Sequence, residues 1–76
     1  MKHIDEYTSV TTVLEKLIER ENEMIALYEQ TCRETGDTVI SSLLHFLIHE
    51  KRQQRELLEN ELKEMNEQFE LDEAIV

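Results

Sequence analysis

Apolar residues recur every three or four positions along most of the chain, which is the spacing of one side of an α-helix. Two such stripes lie on either side of Gly36, the one glycine in the sequence. The first stripe contains Val10, Val13, Leu14, Leu17, Ile18, Met24, Ile25, Tyr28 and Cys32. The second contains Val39, Ile40, Leu43, Leu44, Phe46, Leu47, Leu57, Leu58, Leu62, Met65 and Phe69. The pattern predicts an all-α protein with two long helices.

Residues that favour caps and turns mark the expected helix ends. Thr8 and Ser9 can cap a first helix over residues 9–35, and Gly36 can end it in a left-handed conformation. Asp37 can cap a second helix over residues 38–68, whereas residues 69–76 lose the pattern and are expected to fray. A chain of 76 residues has room for one domain. We therefore predict a single antiparallel hairpin over residues 1–76, with its turn at residues 36–37.

Each stripe is interrupted by a carboxylate. Glu21 occupies one position of the first stripe, and Glu50 begins a polar stretch in the second. In a hairpin centred near Gly36, residues whose numbers sum to about 73 lie side by side, so both glutamates fall in one layer close to Lys51. A buried carboxylate costs several kcal/mol unless a cation or a proton meets it. Two alternatives follow: a metal ion lies between the glutamates, or Lys51 meets Glu21 and Arg20 meets Glu50.

The stripes are also wider than the contact between two helices requires. Ile18 and Ile25 flank one side of the first helix, and Val39, Phe46 and Leu57 flank one side of the second. Small helical scaffolds usually need a metal, a disulfide or a partner, and a single cysteine excludes an intrachain disulfide. We expect a homodimer or higher homo-oligomer built as a four-helix bundle. Two copies would bring four glutamates to the same central region.

The residues around the two glutamates carry a family resemblance. The segment Glu21-Asn-Glu-Met-Ile-Ala-Leu-Tyr28, followed by Phe46-Leu-Ile-His-Glu50-Lys-Arg-Gln53, resembles the two-helix half of a ferritin-like, rubrerythrin-type protein. Members of that family carry a Glu with a Tyr seven residues later on one helix and Glu-x-x-His on the next. Two such halves hold a di-iron centre. The resemblance covers roughly residues 10 to 65 and is consistent with the pairing of metal-binding halves in helical bundles.

The resemblance implies a function and a set of ligands. Glu21, Glu50 and Gln53 would bind iron or manganese, and Tyr28 would hydrogen-bond a ligand carboxylate. If the chain is an enzyme, it would be a ferroxidase-like or peroxidase-like di-metal oxidoreductase. The family has a histidine where this chain has Gln53, and an amide oxygen is a much poorer ligand for iron than imidazole. The alternative function is a metal-free acidic helical dimer that acts as a protein-interaction or assembly module.

The net charge and the composition limit the kinds of partner that we expect for this protein. The net charge of −10 argues against nucleic acid and anionic membranes, and it fits cations or a basic protein partner. His45 and His49 lie opposite Leu47 on a helical wheel, so they are expected to face solvent. The lone Cys32 favours a reducing compartment, and no apolar signal segment follows the first residues. We therefore expect a cytoplasmic location.

Overall fold

Two long helices joined by a short turn make up the computed structural model of this protein. The backbone is described for residues 2–36 and 38–75, and the side chains for residues 9–36 and 38–71. Helix α1 spans Lys2–Thr35 and helix α2 spans Val39–Ile75. They pack side by side as an antiparallel hairpin with extents of 57 × 15 × 11 Å. The all-α class and the hairpin are confirmed, and no described helix has the length and apolarity needed to cross a membrane.

Both helices extend further than the cap residues and the stripes predict. Helix α1 begins at Lys2 rather than at residue 9, so Thr8 and Ser9 lie inside it and do not cap it. Helix α2 continues through Ile75, although the segment from residue 69 was expected to fray. Neither extension contains Gly or Pro, the two residues that interrupt helices most strongly. The cap-type residues Thr8 and Ser9 therefore do not mark the start of α1, because no helix-breaking residue precedes them.

The turn follows from two residues with special backbone roles. Gly36 adopts a φ of 70° and its N–H donates to the carbonyl of Cys32 at 3.2 Å, which is a left-handed helix end. Asp37, expected to cap the second helix, lies outside the described residues. Thr38 performs that role, because its Oγ1 accepts a hydrogen bond from the Ser41 N–H at 3.3 Å. A chain with so few turn residues between its helices must fold back on itself.

Replacing Gly36 by alanine is expected to lower the unfolding free energy by about 1 kcal/mol. Apart from its chain neighbours, no atom lies within 4 Å of the position that a Cβ would take, so the loss comes from the positive φ alone. Urea denaturation followed by circular dichroism measures it. Gly36→Asn is the control, since asparagine tolerates this conformation better and should lose less. Equal stability of Gly36→Ala and the wild type would show that the left-handed turn is not required.

The two helices meet along one stripe of buried and half-buried residues, which we call the seam. It consists of Thr11, Leu14, Ile18, Glu21, Ile25, Tyr28 and Cys32 on α1, and of Ser41, Leu44, Ile48, Lys51, Arg55, Leu58, Leu62, Met65 and Phe69 on α2. These positions alternate in steps of three and four residues, as in a coiled coil. Contacting residues have numbers that sum to 72 for Glu21 and Lys51 and to 73 for Cys32 and Ser41. The antiparallel register expected from the sequence is therefore confirmed.

A second stripe of apolar residues is left exposed beside the seam. Each of its members precedes a seam residue by one position, and since the helices are antiparallel and face each other, these members lie on the same side of the hairpin in both helices. We call this surface the apolar face. It consists of Val10, Val13, Leu17, Met24 and Leu27 on α1, and of Ile40, Leu43, Leu47 and Leu57 on α2. All are exposed except Met24 and Leu47, which are half-buried.

The residues that the sequence predicts to meet another helix pair are therefore only partly the ones that lie on the apolar face. Ile25 is buried and Ile18 half-buried because both belong to the seam, so they are not available to another helix pair. Val39 and Phe46 are exposed on the outer side of α2, away from both the seam and the apolar face. Of the flanking residues expected from the sequence, only Leu57 lies on the apolar face, where it is 70% exposed.

Candidate functional site

Glu21 meets a cation from its own chain in the middle of the seam. The Nζ atom of Lys51 lies 3.4 Å from both carboxylate oxygens and donates a hydrogen bond to Oε1. The side chains are 16% exposed for Glu21 and 28% exposed for Lys51, so the pair is largely shielded from water. Oε2 of Glu21 is buried and accepts no hydrogen bond, although the ammonium lies at ion-pair distance from it. One of the two alternatives for Glu21, the pairing with Lys51, is thus observed.

Further polar contacts extend this layer across the hairpin. Lys51 Nζ also donates to Oε1 of Gln54 at 3.4 Å. The ammonium therefore contacts Glu21 on α1 and Gln54 in the next turn of α2. One turn along α2, Arg55 Nη1 donates to Oδ1 of Asn22 at 2.8 Å. Arg55 also pairs with Glu59 through Nε at 3.2 Å. The centre of the hairpin is therefore a polar layer in which long cationic side chains of α2 reach acceptors on α1.

The other residues expected at a metal site are not gathered around Glu21. Glu50 is half-buried and lies on the same side of the hairpin as the apolar face, because it precedes the seam residue Lys51. Gln53 is exposed on the outer side of α2. Tyr28 is half-buried in the seam, two turns along α1 from Glu21. Arg20 is exposed, and the ion pairs found within residues 9–36 and 38–71 do not include one between Arg20 and Glu50.

This donor set does not fit a metal ion held by one chain. Among the residues whose placement is described, no group of three or more His, Cys, Asp or Glu side chains could hold a metal ion. The carboxylate of Glu21 already faces the ammonium of Lys51, and the side chain of Gln53 is an amide and not an imidazole. A divalent cation at Glu21 would lie against the positive charge of Lys51, which disfavours its binding. A centre with four glutamate ligands would need Glu21 and Glu50 from each of two chains.

The opposite side of the hairpin is polar. Arg52 Nη2 pairs with Oε1 of Glu29 at 2.9 Å across the helices, and both residues follow a seam residue by one position. An open groove of about 540 Å³ adjoins this pair and is lined in part by His45 and His49. Both histidines are exposed, as their positions opposite Leu47 predict. This side therefore presents charge and imidazole to solvent, whereas the apolar face presents hydrocarbon.

Cys32 packs at the turn end of the seam. It is half-buried, and its Sγ lies 3.3 Å from Oγ of Ser41, which is buried on the facing helix. The thiol thus fills a small space between the helices, at hydrogen-bond distance from the Ser41 hydroxyl.

Comparison with protein-family models, with curated proteins and with solved structures finds no significant match for this chain. The relationship to ferritin-like proteins accordingly remains a prediction from Glu21, Tyr28, Glu50 and the residues around them. The polar layer and the apolar face are the features of the described residues that bear on function.

Proposed function

We propose that this protein is a metal-free helical assembly module, in which the hairpin is one half of a larger bundle and docks through the apolar face. The observation that carries the proposal is the contact between Lys51 and Glu21. The carboxylate that the sequence places in a helical core has its cation supplied by the chain, at 3.4 Å, so no bound metal is needed to neutralise it.

The apolar face supports the docking half of the proposal. Only four apolar residues of the described side chains are buried in the hairpin, namely Leu14, Ile25, Leu44 and Ile48. A core of this size is small for a stable domain, and such scaffolds usually gain stability by association. Contiguous exposed apolar surface bordered by polar residues marks interaction sites on soluble proteins. The apolar face is exposed surface of this kind on both helices, in two parts separated by polar residues at the level of Arg20 and Glu50.

A di-metal protein is the second candidate, and two observations favour it. Oε2 of Glu21 is buried without a hydrogen bond, and Glu50 is half-buried beside the same layer. Two paired chains would bring these carboxylates together, and iron or manganese accepts carboxylate oxygens. The resemblance to ferritin-like halves implies oxidation of iron or reduction of oxygen or peroxide for such a centre. This candidate requires Lys51 to leave Glu21.

Metal retention separates the two candidates. Protein purified without added metal is incubated with ferrous iron under argon, exposed to air, desalted and analysed for iron. We expect substoichiometric iron in the wild type, and the same result in Gln53→His, because Lys51 still faces Glu21. EDTA is expected to leave the melting temperature and the sedimentation coefficient unchanged. Stoichiometric iron that is lost in Glu50→Ala would overturn the metal-free proposal in favour of the di-metal protein.

A further inference from the structure

Two opposite charges interrupt the middle of the apolar face. Arg20 precedes the seam residue Glu21, and Glu50 precedes the seam residue Lys51, so both lie on this side of the hairpin. Because Glu21 contacts Lys51, the two charges lie at almost the same level on neighbouring helices, offset by about 3 Å along the axis. The apolar residues of α1 and of α2 continue on both sides of this level. A positive and a negative charge therefore mark the centre of the surface.

These charges do not neutralise each other within the chain. The Arg20 side chain is exposed, Glu50 is half-buried, and the ion pairs of the described residues contain neither of them. Each side chain leaves its helix toward the apolar face and not toward the other helix, which explains why the two charges do not meet. A partner that covered the apolar face would remove water from both charges. Such a partner must supply a negative group opposite Arg20 and a positive group opposite Glu50, or binding is penalised.

A second copy of the chain supplies both groups in one of its two symmetric orientations. If the two-fold axis runs parallel to the helices, the turns lie at the same end and α1 packs over the α2 of the partner. Arg20 then faces the partner's Glu50, and this pairing occurs twice. If the axis crosses the helices at the centre of the apolar face, the turns lie at opposite ends. Arg20 then faces the partner's Arg20, and Glu50 faces the partner's Glu50.

We infer that the occupant of the apolar face is a second copy of this chain, with both turns at the same end and with two Arg20–Glu50 ion pairs across the interface. The inference rests on the proposed docking function and adds the partner and its orientation. The charge pattern selects this arrangement because like charges placed opposite each other oppose association, whereas opposite charges fix the orientation. The arrangement also leaves Lys51 on Glu21, since the interface charges are supplied by different residues.

A charge-swap experiment tests the pairing. Sedimentation equilibrium gives the dimer dissociation constant of the wild type, of Arg20→Glu, of Glu50→Arg and of the variant with both changes. Each single change creates two like-charge contacts and is expected to weaken the dimer about tenfold or more, whereas the double change restores the wild-type constant within a few-fold. Arg33→Glu and Glu56→Arg are the controls. They make the same charge changes at exposed positions outside the apolar face and should leave the constant nearly unchanged.

Distances between spin labels test the orientation. A nitroxide is attached to Glu67→Cys, an exposed position near the far end of α2, in a Cys32→Ser background. With the turns at the same end, the two labels are expected within about 30 Å of each other, given helix spacings in a bundle. With the turns at opposite ends, they are separated by about 50 Å along the axis. Pulsed electron paramagnetic resonance distinguishes these values.

Each outcome decides a separate point. Single swaps that leave the dissociation constant unchanged, or labels at the long distance, overturn the inferred interface. A wild-type chain that stays monomeric overturns the second copy as partner and leaves the metal-free docking function in place, with a different protein on the apolar face. Metal-dependent dimerisation would instead contradict the proposed function itself.

Discussion

An Ile25→Ala variant is expected to lose about 3 kcal/mol of unfolding free energy, most of what a hairpin of this size has. Ile25 is the most buried apolar side chain described, at 5% exposure, and it lies in the seam. Removing it leaves a cavity between two helices that have few other buried contacts to compensate. Urea denaturation monitored at 222 nm measures the loss, and the protein concentration must be held fixed because association adds apparent stability.

Leu27→Ala is the matched control on the same helix. Leu27 is 53% exposed on the apolar face, so its truncation should change the unfolding free energy of the isolated hairpin by less than about 1 kcal/mol. It is expected to weaken association instead, which sedimentation at several concentrations detects. Equal losses from the two variants in dilute protein would mean that the seam and the apolar face have been assigned to the wrong residues.

The second large effect is expected from separating Lys51 from Glu21. Lys51→Leu leaves a carboxylate that is 16% exposed without its cation, and we expect it to lower the unfolding free energy by about 2 kcal/mol. Glu21→Leu should cost less, because the long lysine side chain can extend its ammonium to water. The double variant Glu21→Leu/Lys51→Leu is expected to be at least as stable as the wild type, since two apolar side chains can replace a poorly hydrated ion pair.

A double-mutant cycle on these four proteins isolates the coupling between the two side chains. The exposed pair of Arg52 and Glu29 provides the comparison, since its side chains are 55% and 39% exposed and its coupling should stay below about 1 kcal/mol. If Lys51→Leu changes the unfolding free energy by the same amount with glutamate as with leucine at position 21, the coupling is zero and Lys51 does not stabilise Glu21. The assignment of the cation in the polar layer would then be wrong.

Much of the fold follows from the spacing of apolar residues and from one glycine. The two stripes predict two helices, and Gly36 predicts the turn that makes them antiparallel. Simple helix geometry from that turn then places Glu21 beside Lys51, which the structure bears out. These features depend on local backbone preferences and on regular helix rise, so a single sequence contains enough information to predict them.

The division of each stripe between seam and exposed face could not be predicted in the same way. Ile25 and Leu17 are both apolar and belong to the same wide stripe, yet Ile25 is buried and Leu17 is 45% exposed. Which of them faces the other helix depends on the rotation of both helices about their axes, which is set by packing between them. The start of α1 was missed because Thr8 and Ser9 have cap-type side chains, yet the helix continues through them to Lys2.

The candidate site was predicted only as a pair of alternatives. Spacing brings Glu21 and Lys51 together, but it does not say whether Glu50 and Gln53 turn toward them. In the structure, Gln53 lies on the outer side of α2 and Glu50 lies on the same side of the hairpin as the apolar face. The polar layer is therefore built from Lys51 and Gln54, one position after each residue that the ferritin-like pattern would use. A short motif does not show how a helix is rotated about its own axis, so it cannot predict which of two neighbouring residues faces the other helix.

The lysine in the polar layer has a consequence for how the protein depends on its surroundings. A metal ion is drawn from solution, so the occupancy of its site varies with the free concentration of the metal. The ammonium of Lys51 is tethered to the chain that it neutralises, and tethered groups act at effective concentrations in the millimolar range or above. A competing ion reaches Glu21 only when its concentration, weighted by its affinity for the carboxylate, outweighs that of the tethered ammonium. The hairpin can thus keep the same charge balance in iron-starved and iron-replete conditions.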